Sequence, residues 1–259
     1  MKKRITLTDI RWTLHYWQQK YSIRQTIRTL QNSLKSWQHF WNSYHCYADL
    51  LAPKAPPSLD VLYPCLYDDT PTTVIEPVYF YQDAWAFEHI VKINPSYHVD
   101  VGSHHTFVAL LSKVVPVTMV DIRPLSLSLE TLNFRQGNIL DLPYGDCTVP
   151  SVSSLCVVEH IGLGRYGDQL DPFGSDKAIN ELKRVLAPGG NLYLSVPVSN
   201  HDLVAFNAGR MFSLNSLYRL FDPLLIVEQR YIVGGSLQDE YKDSGLFGTT
   251  GLFHLSKQS

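Results

Sequence analysis

The stretch from Ser154 to Val198 constrains the fold of this chain more than any other part of its sequence. It runs SLCVVEHIGLGRYGDQLDPFGSDKAINELKRVLAPGGNLYLSVPV. A first apolar strand leads into a glycine-rich acidic loop. A helix over 176–186 follows, with its apolar residues on one face, and then a Pro-Gly-Gly stop and a second apolar strand. A strand–helix–strand unit of this kind predicts a mainly parallel sheet with right-handed crossovers.

The same alternation of strand and helix extends on both sides of this stretch. Upstream helices are predicted over 78–93 and 107–114, and one downstream helix over 213–221. The predicted strands share short apolar runs bounded by turn residues. They cover residues 97–101, 117–120, 134–139, 152–158, 192–196, 224–233 and 246–255. The sequence therefore predicts an α/β fold over residues 78–259.

Residues 1–50 have a different character and predict a basic amphipathic helical extension. They hold eight Lys or Arg and two Asp, so that 8 − 2 gives a net charge of +6. Glycine and proline are absent from residue 5 to about 48. Apolar residues recur there at helical spacing. These are Ile10, Leu14, Trp17, Tyr21, Ile27, Leu30, Leu34, Trp37 and Trp41.

The apolar face of this extension needs a partner, and three remain open. It packs on the rest of the chain, on a second subunit, or on an anionic membrane surface as a peripheral contact. Packing on protein is favoured, because an apolar helical stripe usually buries itself against protein. No nucleic-acid-binding motif accompanies the basic residues, so we expect no nucleic-acid partner.

Residues 51–77 contain six prolines and predict an irregular lead-in to the α/β domain. The four cysteines form no C-x-x-C pair, which suits a reducing compartment. No apolar run reaches the length of a membrane span, and the N-terminus has no apolar signal core. We therefore expect a cytoplasmic protein, with peripheral membrane contact as the variant that the basic extension allows.

Ligand-binding residue types stand at the carboxyl ends of the predicted strands, where open α/β sheets bind their ligands. The first strand ends in DVGSHH (100–105), in which Gly102 permits a tight turn. The second ends in Asp121, nineteen residues after Gly102, an offset typical of a carboxylate that binds ribose hydroxyls. The third ends in Asn138 and Ile139, where an amide meets a purine edge. Together these positions indicate an adenosine-containing cofactor.

The motifs HVDVGS, VDIRPL, VVEHIGLGRYGDQLDP and ELKRVLAPGGNLYLSVPV lie within residues 97–200. The chain from about residue 78 onward resembles the class I S-adenosylmethionine-dependent methyltransferase superfamily. More narrowly, it resembles an uncharacterised methyltransferase-like family known mostly as a domain of unknown function. The resemblance implies a Rossmann-like sheet of seven strands whose last strand is antiparallel. It also implies S-adenosylmethionine as cofactor.

By position, the resemblance implies a set of cofactor contacts along one edge of the sheet. They are Asp100, Gly102 and Ser103 at the methionine end, Asp121 at the ribose, Ile122 beside the adenine, Asn138 and Ile139 at its exocyclic edge, and Cys156 from the fourth strand. Two departures from the superfamily stand out. His104 and Thr106 occupy positions that are usually glycine in the first turn, and Asn138 replaces the usual acid.

The acidic loop over 159–171 is the candidate acceptor side. His160 is the candidate base for an acceptor hydroxyl, because an ordinary imidazole titrates near neutral pH. Glu159 or Asp171 is expected to orient it. The alternative is that an ion pair between Asp168 and Arg165 fixes the loop and that His160 packs on the sheet.

Two further groups near the predicted site have other interpretations. Asn207 and Arg210, after the fifth strand, either contact an acceptor or make structural hydrogen bonds. Adjacent residues on an extended segment point to opposite faces, so we expect no metal site at His104 and His105.

The leading hypothesis is thus an S-adenosylmethionine-dependent methyltransferase, O-directed, acting on a hydroxyl or carboxyl of a small-molecule or glycan-type acceptor. The alternative is a methyltransferase-like binding or scaffold protein without transfer activity, docked through its basic N-terminal helices. The altered glycine turn favours the alternative, whereas Asp121 and the acidic loop favour the enzyme.

Overall fold

The computed structural model describes residues 6–20, 23–51 and 62–259 of the chain. Parts of the predicted helical extension and of the proline-rich lead-in, at residues 1–5, 21–22 and 52–61, lie outside the described residues. The chain divides into two compact units, Met1–Val74 and Ile75–Ser259. The first unit is helical, and the second carries the sheet.

The first unit contains α1 (Leu7–Lys20) and α2 (Ile23–Leu51). A capping box begins α1, because the Thr6 N–H donates to Asp9 Oδ2 at 2.6 Å and the Asp9 N–H donates to Thr6 Oγ1 at 3.3 Å. The absence of glycine and proline lets α2 run for 29 residues. None of the described helices combines the length and the apolar character needed to cross a bilayer.

The second unit alternates strands and helices along the chain. Its elements are α3 (Pro77–Ile93), β1 (His98–Val101), α4 (His105–Leu111), β2 (Val117–Asp121), β3 (Leu132–Gln136), β4 (Val149–Leu155), α5 (Gly174–Val185), β5 (Leu186–Pro197), β6 (Leu203–Ala205), β7 (Gly209–Met211), α6 (Leu214–Phe221), β8 (Leu225–Val233), β9 (Ser236–Gln238) and β10 (Thr249–Ser256).

One eight-stranded sheet organises this unit, in the order β3-β2-β1-β4-β5-β10-β8-β9. Strands β1 to β5 pair in parallel, and β10 is antiparallel to both β5 and β8. The predicted α/β class, with its parallel strands and antiparallel last strand, is confirmed. The eighth strand, β9, was not predicted. It folds back on β8 through Gly234-Gly235, both at positive φ, which is the backbone that a two-residue hairpin requires.

Helix α5 shows how the Pro-Gly-Gly signal works in this chain. The helix ends at Val185, and Leu186 is already extended, so the helix stops before Pro188. Gly189 lies at φ +71 near the start of β5, where the register against β4 shifts. On the inner face of α5, Ile179 and Leu182 are fully buried against the sheet. The helix agrees with its prediction to within a few residues, whereas β5 begins six residues before the predicted 192–196 and includes the Pro-Gly-Gly sequence.

Both faces of the central strands are covered, and this fixes their carboxyl ends in space. α5 and α6 cover one face, in a cluster that includes Ile179, Leu217 and Phe221. α3 and α4 cover the other, in a cluster that includes Trp85 and Val108. Burial on both faces explains why β4 and β5 are almost continuously apolar or small.

Candidate functional site

A cavity of about 830 Å³ opens at the carboxyl ends of β1, β2 and β4. Its volume lies within the range of roughly 300–1,000 Å³ that small-molecule sites occupy. Seven of the eight predicted cofactor residues line it. They are Gly102, Ser103, Asp121, Ile122, Asn138, Ile139 and Cys156. Of the predicted catalytic residues, His160 lines the cavity, while Glu159 and Asp171 lie outside its lining.

The turn after β1 brings main chain to the cavity wall. Gly102 lies at φ +74, and a Cβ there would stand 3.1 Å from Val157 Cγ1. The Ser103 hydroxyl accepts from the Leu155 N–H at 3.0 Å, which fastens the turn to β4. A left-handed, crowded position of this kind favours glycine, so main chain lines the cavity at Gly102 and Ser103, and we name this turn the cradle.

Asp100 lies beneath this turn, fully buried, and does not line the cavity. Its Oδ1 accepts from the Ser103 N–H at 3.0 Å, and its Oδ2 accepts from the Ser153 hydroxyl at 2.5 Å. Burial raises the pKa of this carboxyl to about 6. Asp100 therefore holds the turn in place, and the main chain above it faces the cavity.

The buried network continues behind Asp100. The Nε2 atom of His98 is 2.8 Å from the Ser153 hydroxyl, and its Nδ1 atom is 2.7 Å from the Ser151 hydroxyl. Burial lowers the pKa of His98 to about 3, so the imidazole is neutral. The sequence analysis did not assign a role to His98. A sequence signal for a buried polar network did exist, because serines recur along β4, where a buried strand is usually apolar.

Asp121 ends β2 with one oxygen engaged and the other directed toward the cradle. Its Oδ1 accepts from the Arg123 N–H at 2.8 Å and is 3.6 Å from Arg123 Nε. Its Oδ2 would be 3.9 Å from a Cβ at Gly102. This second oxygen is placed to accept a hydrogen bond from a ligand hydroxyl. The neighbouring Ile122 is partly exposed along the same wall.

Only the Nδ2 group of the Asn138 side-chain amide is left to bind a ligand. Its Oδ1 accepts from the Leu140 N–H at 2.9 Å, which folds the main chain into a tight turn. The Nδ2 group remains as a donor at the cavity wall. Ile139 beside it is nearly buried. The structure thus places a donor here, where the usual acid of the superfamily would be an acceptor.

Glu159 and His160 occupy a 3-10 turn after β4 and face each other. Glu159 Oε1 is 3.7 Å from His160 Nε2, and Glu159 Oε2 is buried with no hydrogen-bond partner among the described residues. His160 Nδ1 is 3.4 Å from the Arg165 guanidinium. Burial raises the pKa of Glu159 to about 8, and burial with the nearby Arg165 lowers the pKa of His160 to about 4. Both side chains are therefore largely uncharged near pH 7.

Asp171 is remote from His160 in its interactions. Its carboxylate accepts from Lys177 Nζ and from the Phe173 N–H, at 2.6 and 2.9 Å. The lysine and this N–H hold the pKa of Asp171 below its usual range. Asp168 likewise binds the loop itself, accepting from the N–H groups of Gly162 and Tyr166. The acidic side chains of the loop mainly fix its shape.

Arg210 closes this loop onto the hairpin formed by β6 and β7. Arg210 is buried, and its guanidinium donates to the main-chain oxygens of Ile161, Asp171 and Pro172. It also donates to Ser175 Oγ at 3.0 Å. In the reverse direction, Arg165 in the loop donates to the Ala208 carbonyl of the hairpin at 2.7 Å. The donors of Arg210 are committed to structure, in agreement with the second interpretation of this residue.

Helix α3 supplies one residue of the cavity wall and one buried residue behind that wall, and neither was predicted from the sequence. Tyr79 lines the cavity, with its ring centroid 5.0 Å from that of His104. Gln82 is fully buried and accepts from the Cys156 thiol at 3.2 Å and the Ser195 hydroxyl at 2.7 Å. No local signal marks these residues, because their partners lie far away in the sequence and only the fold brings them together.

The geometry fits S-adenosylmethionine at the cradle, the free oxygen of Asp121 and the Asn138 amide. The two departures from the superfamily turn differ in consequence. His104 lines the cavity at φ −64, a backbone that any residue adopts, and its ring lies against Tyr79. Thr106 belongs to α4 and does not line the cavity. The departures narrow the wall at one position and leave the cradle at Gly102 intact.

Comparisons with known proteins agree with the fold. Residues 144–228 match a family described as "Caenorhabditis protein of unknown function, DUF268". Among solved structures, the N-methyltransferase NodS from Bradyrhizobium japonicum WM9 is similar, at 13% identity and a TM-score of 0.53 over 74% of this chain and 99% of NodS. NodS in complex with S-adenosylhomocysteine gives 14% identity and a TM-score of 0.52, over 78% of this chain and 95% of NodS. The comparison with curated proteins gives no match.

The match to DUF268 covers 85 of the 259 residues (228 − 144 + 1) and spans the acidic loop, α5, β5 and α6. The structural matches cover about three quarters of the chain. The chain therefore has the fold of the class I S-adenosylmethionine-dependent methyltransferases, and about a third of it matches the uncharacterised family DUF268.

Proposed function

We propose that this protein is an S-adenosylmethionine-dependent methyltransferase. One observation carries the proposal: the cradle at Gly102 and the free Oδ2 of Asp121 face one cavity at the strand ends. NodS, which has a similar fold, has been crystallised with S-adenosylhomocysteine. In an open α/β sheet this is the edge at which a nucleotide-containing ligand binds.

The chain's own residues divide the work of holding the cofactor. The turn at Gly102 and Ser103 approaches the methionine end, Asp121 accepts from the ribose, and Ile122 and Asn138 flank the adenine. When bound, S-adenosylmethionine supplies an electrophilic methyl group on sulfur. The protein then needs chiefly to orient an acceptor atom in line and to exclude water.

We further propose an oxygen acceptor on a small or glycan-type molecule. The wall next to the cradle carries the polar side chains of Tyr79, Cys156, His160 and Tyr166. His160 is neutral near pH 7 and able to take a proton, but its lowered pKa makes it a weak base. A carboxylate or an acidic hydroxyl suits this wall best, because an acceptor that is already ionised needs no strong base.

Calorimetric titration with S-adenosylhomocysteine tests the cofactor site. We expect wild-type protein to bind and Asp121→Ala to bind at least about tenfold more weakly, since a hydrogen bond to a charged group contributes about 1.5–3 kcal/mol. Asp141→Ala is the matched control, because this exposed carboxylate lies two residues beyond Ile139 and outside the cavity lining. Absence of binding by wild type, or equal affinity of wild type and Asp121→Ala, would refute the assignment.

A second candidate function is a binding or scaffold protein that holds the cofactor without transfer. The observation that favours it is His104, which narrows the cavity where the superfamily has glycine. Transfer from methyl-labelled S-adenosylmethionine to carboxylate, phenol and glycan acceptors separates the two functions. Tight cofactor binding with no transfer to any acceptor class would favour the scaffold.

A further inference from the structure

The apolar stripe of α2 follows a heptad spacing. From Ile27 to the end of the helix, apolar or aromatic residues recur at alternating intervals of three and four residues. The stripe consists of Ile27, Leu30, Leu34, Trp37, Trp41, Tyr44, Ala48 and Leu51. We name these eight residues the α2 seam. An interval averaging 3.5 residues keeps one line of side chains facing a partner helix along a left-handed supercoil.

Among the described residues of the seam, five are exposed, from Ile27 to Trp41, and Tyr44 and Ala48 are half-buried. Leu30 and Leu34 are 59% and 69% exposed, and Trp37 and Trp41 are 37% and 40% exposed. The two indole rings stack along the helix at a centroid distance of 6.4 Å, and Tyr44 adds an edge contact to Trp41. These aromatic side chains contact each other on one helix and still leave much of their surface to water. A run of exposed apolar residues in one line is typical of an interaction surface.

Charge placement decides what kind of helix fits the seam. With Ile27 at heptad position a, the three charged residues from 27 to 51 all fall at position b, on the outer side of the helix. They are Arg28, Lys35 and Asp49. The flanking positions e and g hold only residues without formal charge. These are Gln31, Ser33, Gln38, Phe40, His45 and Tyr47. Two identical helices therefore meet without like charges across the seam, which is the usual obstacle to self-pairing.

A lipid surface fits this segment less well. Interfacial helices carry rows of Lys and Arg on the polar face, where these side chains reach anionic headgroups. Between residues 27 and 51 there are only Arg28 and Lys35. The uncharged polar flanks and the regular three-and-four spacing both favour a second helix over a membrane.

The available length is sufficient for a weak but specific pair. The 29 residues of α2 span about 43 Å, and a contact strip about 10 Å wide gives roughly 800 Å² in total for two helices. An interface of this size is typical of weak, transient pairing between proteins.

We infer that the α2 seam is a coiled-coil interface with a second copy of this chain. The inference is independent of the proposed enzymatic function, because it rests on the helical unit alone.

Sedimentation equilibrium of the full chain tests it between about 1 and 50 µM. We expect a concentration-dependent mass that approaches twice the 29.5 kDa of one chain. Leu34→Glu puts a carboxylate in the seam and is expected to weaken dimerisation at least about tenfold, whereas Asn32→Glu, on the outer face at position f, leaves it unchanged. Far-ultraviolet circular dichroism and S-adenosylhomocysteine binding of each variant show whether the chain has stayed folded.

Three results would overturn the inference. One is a monomeric mass for wild type across this range. Another is an intact dimer in both Leu34→Glu and a second seam variant, Leu30→Glu. The third is a monomer that pellets with vesicles of phosphatidylcholine and phosphatidylserine and loses this binding with Leu34→Glu, which would assign the seam to a membrane.

Discussion

We expect the cradle to be sensitive to replacement of Gly102. Its φ of +74 and the 3.1 Å between a built Cβ and Val157 Cγ1 make a side chain both strained and crowded. We expect Gly102→Ala to lower the free energy of unfolding by about 1–3 kcal/mol and to weaken S-adenosylhomocysteine binding at least about tenfold. Urea denaturation and calorimetry measure the two effects.

Gly245→Ala is the matched control for this variant. Gly245 also has a positive φ, of +88, but a Cβ there meets nothing within 4 Å, and the residue lies outside the cavity lining. We expect a similar backbone penalty without loss of cofactor affinity. If both variants lost affinity equally, the close approach at Gly102 would not be the cause.

Glu159 makes stability depend on pH in a specific direction. In the unfolded chain this carboxyl ionises near its ordinary pKa of 4.5, whereas in the folded protein it keeps its proton to about pH 8. Its contribution to stability is therefore present at low pH and lost as the pH rises from 4.5 through 8. Glu159→Gln removes the ionisation and should gain about 2–4 kcal/mol over wild type at pH 8.5 relative to pH 4.5.

Urea denaturation of wild type and Glu159→Gln at pH 4.5, 6.5 and 8.5 measures this gain. Glu130→Gln, at an exposed position, serves as the control and should show no pH-dependent gain. A constant difference between Glu159→Gln and wild type at all three pH values would show that the carboxyl ionises freely in the folded state.

For single residues, the sequence predicted positions in the fold better than side-chain orientations. Gly102 and Asp121 follow strands, and parallel strands end at one edge, so their common cavity was predictable. The inward orientation of Asp100 was not, because it depends on Ser153 in another strand. Nor was the pairing of Asp171 with Lys177, since several cations stand at similar distances along the sequence.

Among the elements, the β6–β7 hairpin governs the shape of the acidic loop. Arg210 donates to the main-chain carbonyls of Ile161, Asp171 and Pro172, and its removal would take a donor from each of them. We expect Arg210→Ala to speed amide hydrogen exchange across residues 161–172 at least about tenfold. Arg210→Lys should be nearly as damaging, because an ammonium cannot reproduce the planar fork.

Hydrogen exchange followed by mass spectrometry gives the comparison segment by segment. Arg219→Ala is the control, because Arg219 is exposed and donates only to Ser216 within α6. Unchanged exchange over 161–172 in Arg210→Ala would mean that Asp168 and Asp171 hold the loop without Arg210.

Regular elements were predictable to within a few residues where periodicity is long, as in α3 and α5. The short strands β6, β7 and β9 were not predicted, for two different reasons. The β6–β7 hairpin has three residues in each strand and is stable only through contacts with the loop, so it carries no periodic signal of its own. The Gly234-Gly235 turn of β9 did carry a signal, which a hairpin rule would have used.

For the whole molecule, the two compact units should unfold separately. Four of the five tryptophans, Trp12, Trp17, Trp37 and Trp41, belong to the first unit, so tryptophan fluorescence mainly follows the helices. Far-ultraviolet circular dichroism follows both units. We expect two urea transitions, of which only the fluorescence transition moves to higher urea as protein concentration rises, because association stabilises the helices.

Scanning the same urea series at 1 and 50 µM chain makes the comparison direct. A single transition that coincides by both probes would show that the units fold as one. A fluorescence midpoint that does not depend on concentration would contradict the coiled-coil interface.

The division of the chain into two parts has support from both its composition and its structure. The prolines of residues 51–77 and the basic charge of residues 1–50 predicted separate segments, and these bounds remain predictions beside the structural division after Val74. The partner of the helices was not predictable, since amphipathicity says that a face needs covering without saying by what.

The hydrogen bonds between the acidic loop and the β6–β7 hairpin have a consequence for how a different acceptor specificity can arise. Arg165 holds the hairpin, Arg210 holds the loop, and a Cβ added at Gly209 would touch Glu159 and His160 at 3.4 Å. The acidic loop and the hairpin, about forty residues apart in the sequence, therefore form one structural unit. If the loop alone were replaced by that of a relative, the hydrogen bonds from Arg210 to the loop and from Arg165 to the hairpin would have to form again with foreign partners. Replacement of both stretches together would keep these bonds and transfer this side of the cavity as a whole.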